Sequence, residues 1–403
     1  MKIGRTIPPA AAPLSARDLF RGVSGLFGGR YLETLENEIR EYFGSEFVFL
    51  VSSGKAALVL ILRGLSSLRS RKRVVIPAYT CYSVPSAIVK AGLDIALCDV
   101  DPDTLDFDYG RLEDIADEKT LCVIPTHLFG IPSDVERVRG ICKGKGIYLV
   151  EDAAQAMGVP QGERKLGTLG DVGFFSLGRG KNVSCGSGGI ILTSSVEIAG
   201  IIRKFHGELK REPAGETARN LAEAFFMKVF LNPSLYWFPA GLPFLGIGET
   251  KFLPDFPMHR LSDSKAGMLG SWRARLEEYN RCRMSNGRHY TEALALRGKR
   301  NIYSRDLPYL RFPLYTRDPQ GKIQACERGQ ALGASPMYPG SINRIEQIRD
   351  QVAGSVCPGA ERIAGTLVTL PTHVYLTADD RSRICEAMNI SLVAGKGTRV
   401  PHD

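Results

Sequence analysis

Read by the spacing of its apolar positions, the first half of the chain alternates between strand and helix. The stretch YLETLENEIREYF, residues 31–43, places apolar residues at helical intervals with acids on the other face, which predicts an amphipathic helix. FVFLV then reads as a short strand, and Ser52, Ser53 and Gly54 lead from it into an apolar helix, KAALVLILRGL. VVIPAY, DIALCDVD, LCVIPTHLFG, IYLVEDAA, GFFS and GGIILTS follow as further strand segments, with helical stretches such as DVERVRGICKGKG between several of them. Continuously apolar strands separated by helices predict a mostly parallel sheet covered on both faces, an α/β architecture. Residues 208–257 break this rhythm with a polar start, GELKREPAGETARN, and then an uncharged run, VFLNPSLYWFPAGLPFLGIG, at 229–248. That run is long enough to cross a bilayer, but Pro233, Pro239 and Pro243 would interrupt a helix repeatedly. A buried hairpin or lid is the expectation, and peripheral contact with a membrane through Tyr236 and Trp237 is the alternative. Beyond it, a long helix at about 261–290, then YLRFPLY, GQALGASPMYPG and TLVTLPTH, predict a smaller α+β domain. The expected division is therefore 1–257 and 258–403, with 208–257 as an insertion in the first part.

Composition narrows the class of protein. The chain has 403 residues, 52 basic and 43 acidic side chains and a net charge of +9, spread along its length. A diffuse basic balance with no recognisable motif gives no reason to expect nucleic acid, and sites for phosphorylated small molecules explain it equally well. The nine cysteines include no C-x-x-C pair and the six histidines do not cluster near them, so no metal site is expected. Several cysteines, such as those in IALCDV and TLCVIP, read as buried free thiols. Free thiols point to a reducing compartment, and MKIGRTIPPAAAPLS has no apolar core of a signal peptide, so a cytoplasmic location is expected.

Three segments carry candidate chemistry. Ser53, Gly54 and Lys55 lie between a strand and a helix, where small residues and free N–H groups suit an anion, although an ordinary turn would read the same. It is not a P-loop, because the upstream glycine is missing and Ala56 stands where Ser or Thr would hold magnesium. Glu151, Asp152 and Gln155 follow the apolar strand IYLV, where a carboxylate needs a partner to justify burial. Ser176 and Lys181 lie in SLGRGKN, after GFFS, and a lysine between glycines is either a surface charge or a tuned amine. Together, an anion cradle, a strand-end carboxylate and a later lysine match what pyridoxal 5'-phosphate requires: a held phosphate, a protonated ring nitrogen and an amine for its aldehyde.

The chain also resembles the DegT-type (StrS-like) sugar aminotransferases of fold type I. SSGKAAL, VVIPAYT, DVDPDTLDFD, PTHLFGIPSDVERV, VEDAAQAMG, LGTLGDVGFFSL, GKN and GSGG follow in the family's order and spacing. RLSDSKAGMLGSWRARLEEYN and CPGAERIAGTLVTLPTH resemble its small-domain helix and its C-terminal signature. The resemblance implies a large domain on a mostly parallel seven-stranded sheet with a smaller C-terminal α+β domain, and pyridoxal 5'-phosphate as cofactor. It further implies a glutamate amino donor, a keto-sugar acceptor linked to a nucleotide, and a homodimer with shared active sites. Residue by residue, Lys181 matches the lysine that binds the cofactor's aldehyde and moves the proton, and Asp152 the carboxylate paired with the ring nitrogen. Gln155 matches the residue beside the ring and its phenolic oxygen, Ser176 a phosphate-binding hydroxyl, and Ser53, Gly54 and Lys55 the phosphate turn.

The chain departs from the pattern at several positions. Lys55 replaces the usual Thr or Ser, so its ammonium either pairs with the phosphate or faces solvent. Cys81, flanked by Tyr79 and Tyr82, stands where an aromatic commonly stacks on the ring. Met258 occupies the position at which many members contribute an asparagine across the dimer. His127 matches a position near the site and reads as a packed, hydrogen-bonded histidine. Relatives that dehydrate sugars carry histidine in place of the lysine, and Lys181 argues against that chemistry. Two other readings stay open: the same cofactor acting on a lipid-linked or amphiphilic ketone at a membrane, and a non-catalytic regulator.

Overall fold

A computed structural model describes residues 4–242, 248, 250–303 and 305–393. Seven strands form the central sheet: β1 (Phe47–Val51), β2 (Arg73–Pro77), β3 (Asp94–Cys98), β4 (Thr120–Val123), β5 (Tyr148–Asp152), β6 (Val172–Ser176) and β7 (Gly189–Thr193). Their order is β1-β7-β6-β5-β4-β2-β3. β6, β5, β4, β2 and β3 run parallel to one another, and β7 runs antiparallel between β1 and β6. The expected α/β architecture with a mostly parallel sheet is the one found. The helix Gly54–Leu68 is apolar around most of its surface and is buried from Ala56 to Leu62. Each fully buried Leu or Ile there contributes about 1.5–3 kcal/mol relative to exposure. Cys98 and Cys122 are buried free thiols in the core, as their apolar surroundings predict.

The long helix expected at 261–290 is two helices, Asp263–Met268 and Trp272–Ala293. The break follows from close packing against the helix Ala16–Ser24. A Cβ on Gly267 would lie 2.4 Å from the Arg21 carbonyl oxygen, and one on Gly270 would lie 2.5 Å from the Arg21 guanidinium. Two glycines let the backbones touch, and they also weaken the helix that carries them. Toward the C-terminus, β8 (Phe312–Tyr315) pairs antiparallel with β9 (Leu367–Leu370), flanked by the helices Pro319–Gly329, Pro358–Thr366 and Ala378–Val393.

Within 208–257, a helix runs from Ala214 to Phe230 and a short one from Trp237 to Ala240. Residues 243–247, including Pro243, lie outside the described residues. No described helix is long and apolar enough to cross a membrane. The segment's start is anchored by a buried ion pair between Glu212 and Lys265, with Glu212 also accepting from Ser262 Oγ at 2.9 Å and Asn220 Nδ2 at 3.0 Å. Lys265 also donates to Ser187 Oγ at 2.8 Å, which ties the insertion to the loop after Lys181.

Candidate active site

One end of the sheet brings together the last residues of β1, β5 and β6, the first residue of β7 and a residue just beyond β4. In register across it lie Val51 at the end of β1, Gly189 at the start of the reversed strand β7, and Ser176 at the end of β6. Asp152 ends β5 beside them, and Thr126 pairs with it just beyond β4. Ligands of open α/β sheets bind outside such carboxyl ends. Ser53 caps the helix Gly54–Leu68, its Oγ accepting the Ala56 N–H at 3.1 Å. The turn is squeezed between its neighbours. A Cβ on Gly54 would lie 2.9 Å from Ser176 Cβ, and one on Gly189 would lie 2.3 Å from the Ser53 carbonyl oxygen. Free N–H groups at the helix start and the Ser176 hydroxyl are thereby brought to one cradle. A Gly54→Ala variant should hold pyridoxal phosphate about 10- to 100-fold more weakly, the scale of losing a hydrogen bond to a charged group. Equilibrium dialysis followed by absorbance would check this, and unchanged retention would show that the close approach has no bearing on the phosphate.

Lys181 follows Gly180, which adopts a left-handed φ of +69° and packs against Ala10 of the N-terminal segment. Its backbone N–H donates to the Gly178 carbonyl at 3.3 Å, and its own carbonyl accepts from Arg283 at 3.4 Å. Burial pushes its ammonium below the ordinary lysine value, against the opposing pull of Cys81 and Asp152, while Arg311 adds to the depression. Asp152 is buried, and desolvation raises its carboxyl above the usual range although Lys181 and the Ala154 N–H oppose this. Gln155 Nε2 donates to Tyr338 Oη at 3.0 Å, and its Oε1 accepts the Phe129 N–H at 3.3 Å. Two non-glycine residues with positive φ, Phe129 (59°) and Met337 (63°), bracket this pair. Such conformations are uncommon and gather where a site over-determines the backbone.

Cys81 is half-buried within electrostatic reach of Lys181, Lys55 and Tyr338. Tyr82 is buried with its hydroxyl toward Gly340, and Tyr79 packs edge-on against Tyr338 at 5.3 Å. Lys55 Nζ lies over the Phe256 ring, 4.2 Å from its centroid, a cation–π contact. Phe256 comes from the extended end of the insertion, which pairs Ser52 with His259 through N–H···O bonds of 2.9 and 3.0 Å.

Beneath Asp152, Glu151 is fully buried and accepts from His127 Nε2 at 2.9 Å, from the Gly167 N–H at 2.9 Å, from the Gly170 N–H at 2.6 Å and from the Leu169 N–H. Ser133 N–H donates to His127 Nδ1 at 3.1 Å, so Nε2 carries the hydrogen given to Glu151. Burial pushes the Glu151 carboxyl up, but His127 and the backbone donors more than offset it and hold it below the usual value. A Glu151→Ala variant should lose about 3–5 kcal/mol of stability, read as a lowered urea midpoint. A lowered folded-state pKa stabilises fully above the unfolded value near about 4.3, and that stability is lost as pH falls through the folded value. The urea midpoint of the wild type should therefore decline in acid more steeply than that of Glu151→Gln.

Several residues beside the site gave no motif signal. Arg283, buried with its guanidinium pushed down to about 10 by desolvation, donates to the Asn182 carbonyl at 3.1 Å and to Asn280 Oδ1 at 3.0 Å. Tyr338 and Arg311 come from C-terminal loops and strand ends whose positions depend on chain reversal. His373, by contrast, closes the C-terminal signature segment; it donates to the Pro8 carbonyl at 2.8 Å, and burial lowers it to about 4, so it is neutral near pH 7.

Pyridoxal phosphate needs a held phosphate, a counter-charge for its ring nitrogen and an amine for its aldehyde. The donor set is of the right chemistry: a helix start and hydroxyl for a dianion, a buried carboxylate for a cationic nitrogen, and a lysine beside both. Thr126 Oγ1, on the same face as its partner Asp152, is buried without a hydrogen-bond partner among the described residues, as expected of a group reserved for a ligand. The residues fit the cofactor.

The chain belongs to the DegT/DnrJ/EryC1/StrS aminotransferase family, whose pattern matches residues 16–389. This is a pyridoxal 5'-phosphate-dependent family of enzymes. The chain is 29% identical to GDP-perosamine synthase of Vibrio cholerae over 167 residues, 41% of this chain and 45% of that protein. It spans about half the length of the curated relatives it matches. The solved sugar aminotransferase CalS13 of Micromonospora echinospora superposes with a TM-score of 0.74 at 23% identity, covering 95% of this chain and 99% of the other. The GDP-4-keto-6-deoxy-D-mannose-3-dehydratase of E. coli, solved with bound hydrated PLP, gives 0.74 at 19% identity over 96% and 100% of the two chains. These likenesses establish the fold.

Proposed function

We propose that the protein is a pyridoxal-phosphate-dependent aminotransferase that moves an amino group from glutamate to a keto sugar, carried on a nucleotide. The observation that carries this reading is Lys181 within electrostatic reach of buried Asp152, beside the cradle of Ser53, Gly54 and Ser176. When bound, the cofactor supplies an aldehyde for the amine and an electron sink for the carbon that loses its proton. The N–H groups at Gly54 and Lys55 and the Ser176 hydroxyl bind its phosphate. Asp152 would keep the ring nitrogen protonated, Gln155 would bond the phenolic oxygen, and Cys81 with Tyr82 would border the ring. Lys181 Nζ would hold the cofactor, and would take a proton from the amino donor's carbon in one half-reaction and deliver a proton to the keto-sugar carbon in the other. Two copies of the chain are taken to share their sites. A screen of keto-sugar nucleotides against glutamate-treated protein tests the reading: the right acceptor restores the yellow colour that glutamate bleaches. Failure of glutamate to bleach the colour would remove it as donor.

A second acceptor class has one observation in its favour. The insertion exposes Phe225, Phe226, Val229, Leu235 and Phe238, with the Phe226 and Phe230 rings 4.3 Å apart. Exposed apolar patches of this kind mark interaction sites, and a lipid-linked keto sugar at a membrane surface would suit one. Flotation with anionic liposomes should carry the protein upward on this reading. Protein left at the bottom of the gradient would dismiss it.

A further inference from the structure

A cavity of about 690 Å³ lies between the N-terminal segment, the insertion and the loop before Tyr338, lined among others by Ile7, Tyr236, Pro239, Ser335 and Met337. Its size is that of a small-molecule site. Arg311 lines it too, and four observations set this side chain apart. It stands just before β8, and it lines the cavity while its neighbours Leu310 and Phe312 are buried in the core. Its backbone is fixed, because Leu310 N–H donates to Phe129 at 2.8 Å and Leu310 O accepts from Thr372 Oγ1 at 3.0 Å. The charge partners of its guanidinium are the phenols Tyr338 and Tyr236, with no carboxylate among them, and it acts on the Lys181 ammonium as a second cation. No hydrogen bond or ion pair of Arg311 is found among the described residues.

We infer that Arg311 is the anion anchor of the substrate cavity: its guanidinium binds the carboxylate or phosphate of a molecule that reacts at Lys181. The inference rests on the aminotransferase reading and adds a residue to it. A desolvated cation beside another cation is costly unless an anion neutralises it, and a guanidinium fork matches carboxylate and phosphate alike. Tyr236 flanks the fork from the insertion, so the inserted segment forms part of the wall that a substrate meets.

The test uses the full chain loaded with pyridoxal phosphate, as wild type, Arg311→Gln and Arg311→Lys. Two constants are read: the glutamate concentration that half-bleaches the cofactor colour, and the dissociation constant of UDP by calorimetry. Arg311→Gln should raise one of them about 10- to 100-fold. Arg311→Lys, which keeps the charge but loses the fork, should fall between. A rise for glutamate assigns the anion to the donor's carboxylate, and a rise for UDP assigns it to the acceptor's phosphates. Both constants within twofold of wild type, with the colour intact, would overturn the proposal. If Arg311→Gln does not fold, Arg311→Lys carries the same two readouts. A colourless wild-type protein would instead sink the aminotransferase reading, and this inference with it.

Discussion

A Lys181→Ala protein will be colourless after purification and will transaminate on the order of 10⁴-fold more slowly, since it loses both the covalent hold on the cofactor and the proton carrier. The loss is specific to the amine, because the loop is held by backbone groups: Arg283 bonds the carbonyls of residues 181 and 182, and Gly178 accepts the Lys181 N–H. The urea midpoint of the variant should therefore not fall. A pH dependence belongs to the same prediction. Burial lowers the Lys181 pKa, so the neutral amine accumulates as pH rises through that lowered value. The rate at which cofactor-free protein captures added pyridoxal phosphate should rise with pH and level off below about 10.4, the ordinary lysine value. Full activity in Lys181→Ala would end the proposed mechanism.

Asp152→Asn should follow closely in size. The amide can still accept the Ala154 N–H that Asp152 Oδ1 now accepts at 3.0 Å, so local geometry survives while the charge is lost. Breaking a buried charge pair costs about 3–5 kcal/mol, which slows transamination on the order of 10²- to 10³-fold. The colour should remain, since Lys181 is intact. A variant that is colourless as well would mean that Asp152 serves mainly to retain the cofactor, and a rate within tenfold of wild type would remove it from the ring nitrogen.

The strands were legible because most are continuous apolar runs bounded by small or polar residues, and the site lies at the ends of β1, β5 and β6 and the start of β7. The helix at 31–43 was legible from its period. The break after Met268 was not, because its cause is the approach of Arg21 from nearly 250 residues earlier. The cradle of Ser53, Gly54 and Ser176 could be read as three separate small residues, but the packing that leaves no room for a Cβ on Gly54 beside Ser176 depends on the reversed strand between. Arg311 and Tyr338 could not be read at all. An arginine between Leu and Phe, and a tyrosine between Met and Pro, carry no pattern until distant chain folds back onto Gln155 and Lys181. Lys55 shows the reverse: its departure from the family pattern was visible, but its partner Phe256 lies about 200 positions on, in a segment with no motif.

The N-terminal segment has a consequence for how the molecule is made. Arg5 pairs with Asp380, Pro8 with His373 and Pro13 with Tyr279, while Ala10 packs on Gly180 beside Lys181. Arg5, Pro8 and Pro13 thus have partners 266 to 375 positions further along the chain. At about 5–20 residues per second, roughly 20–75 s separate the synthesis of Arg5 from that of Asp380. Contacts of such sequence separation form late, so this segment reaches its place beside Gly180 after the sheet has assembled. A nascent chain stalled before residue 373 would have the whole sheet but neither His373 nor Asp380 to hold this segment beside Gly180.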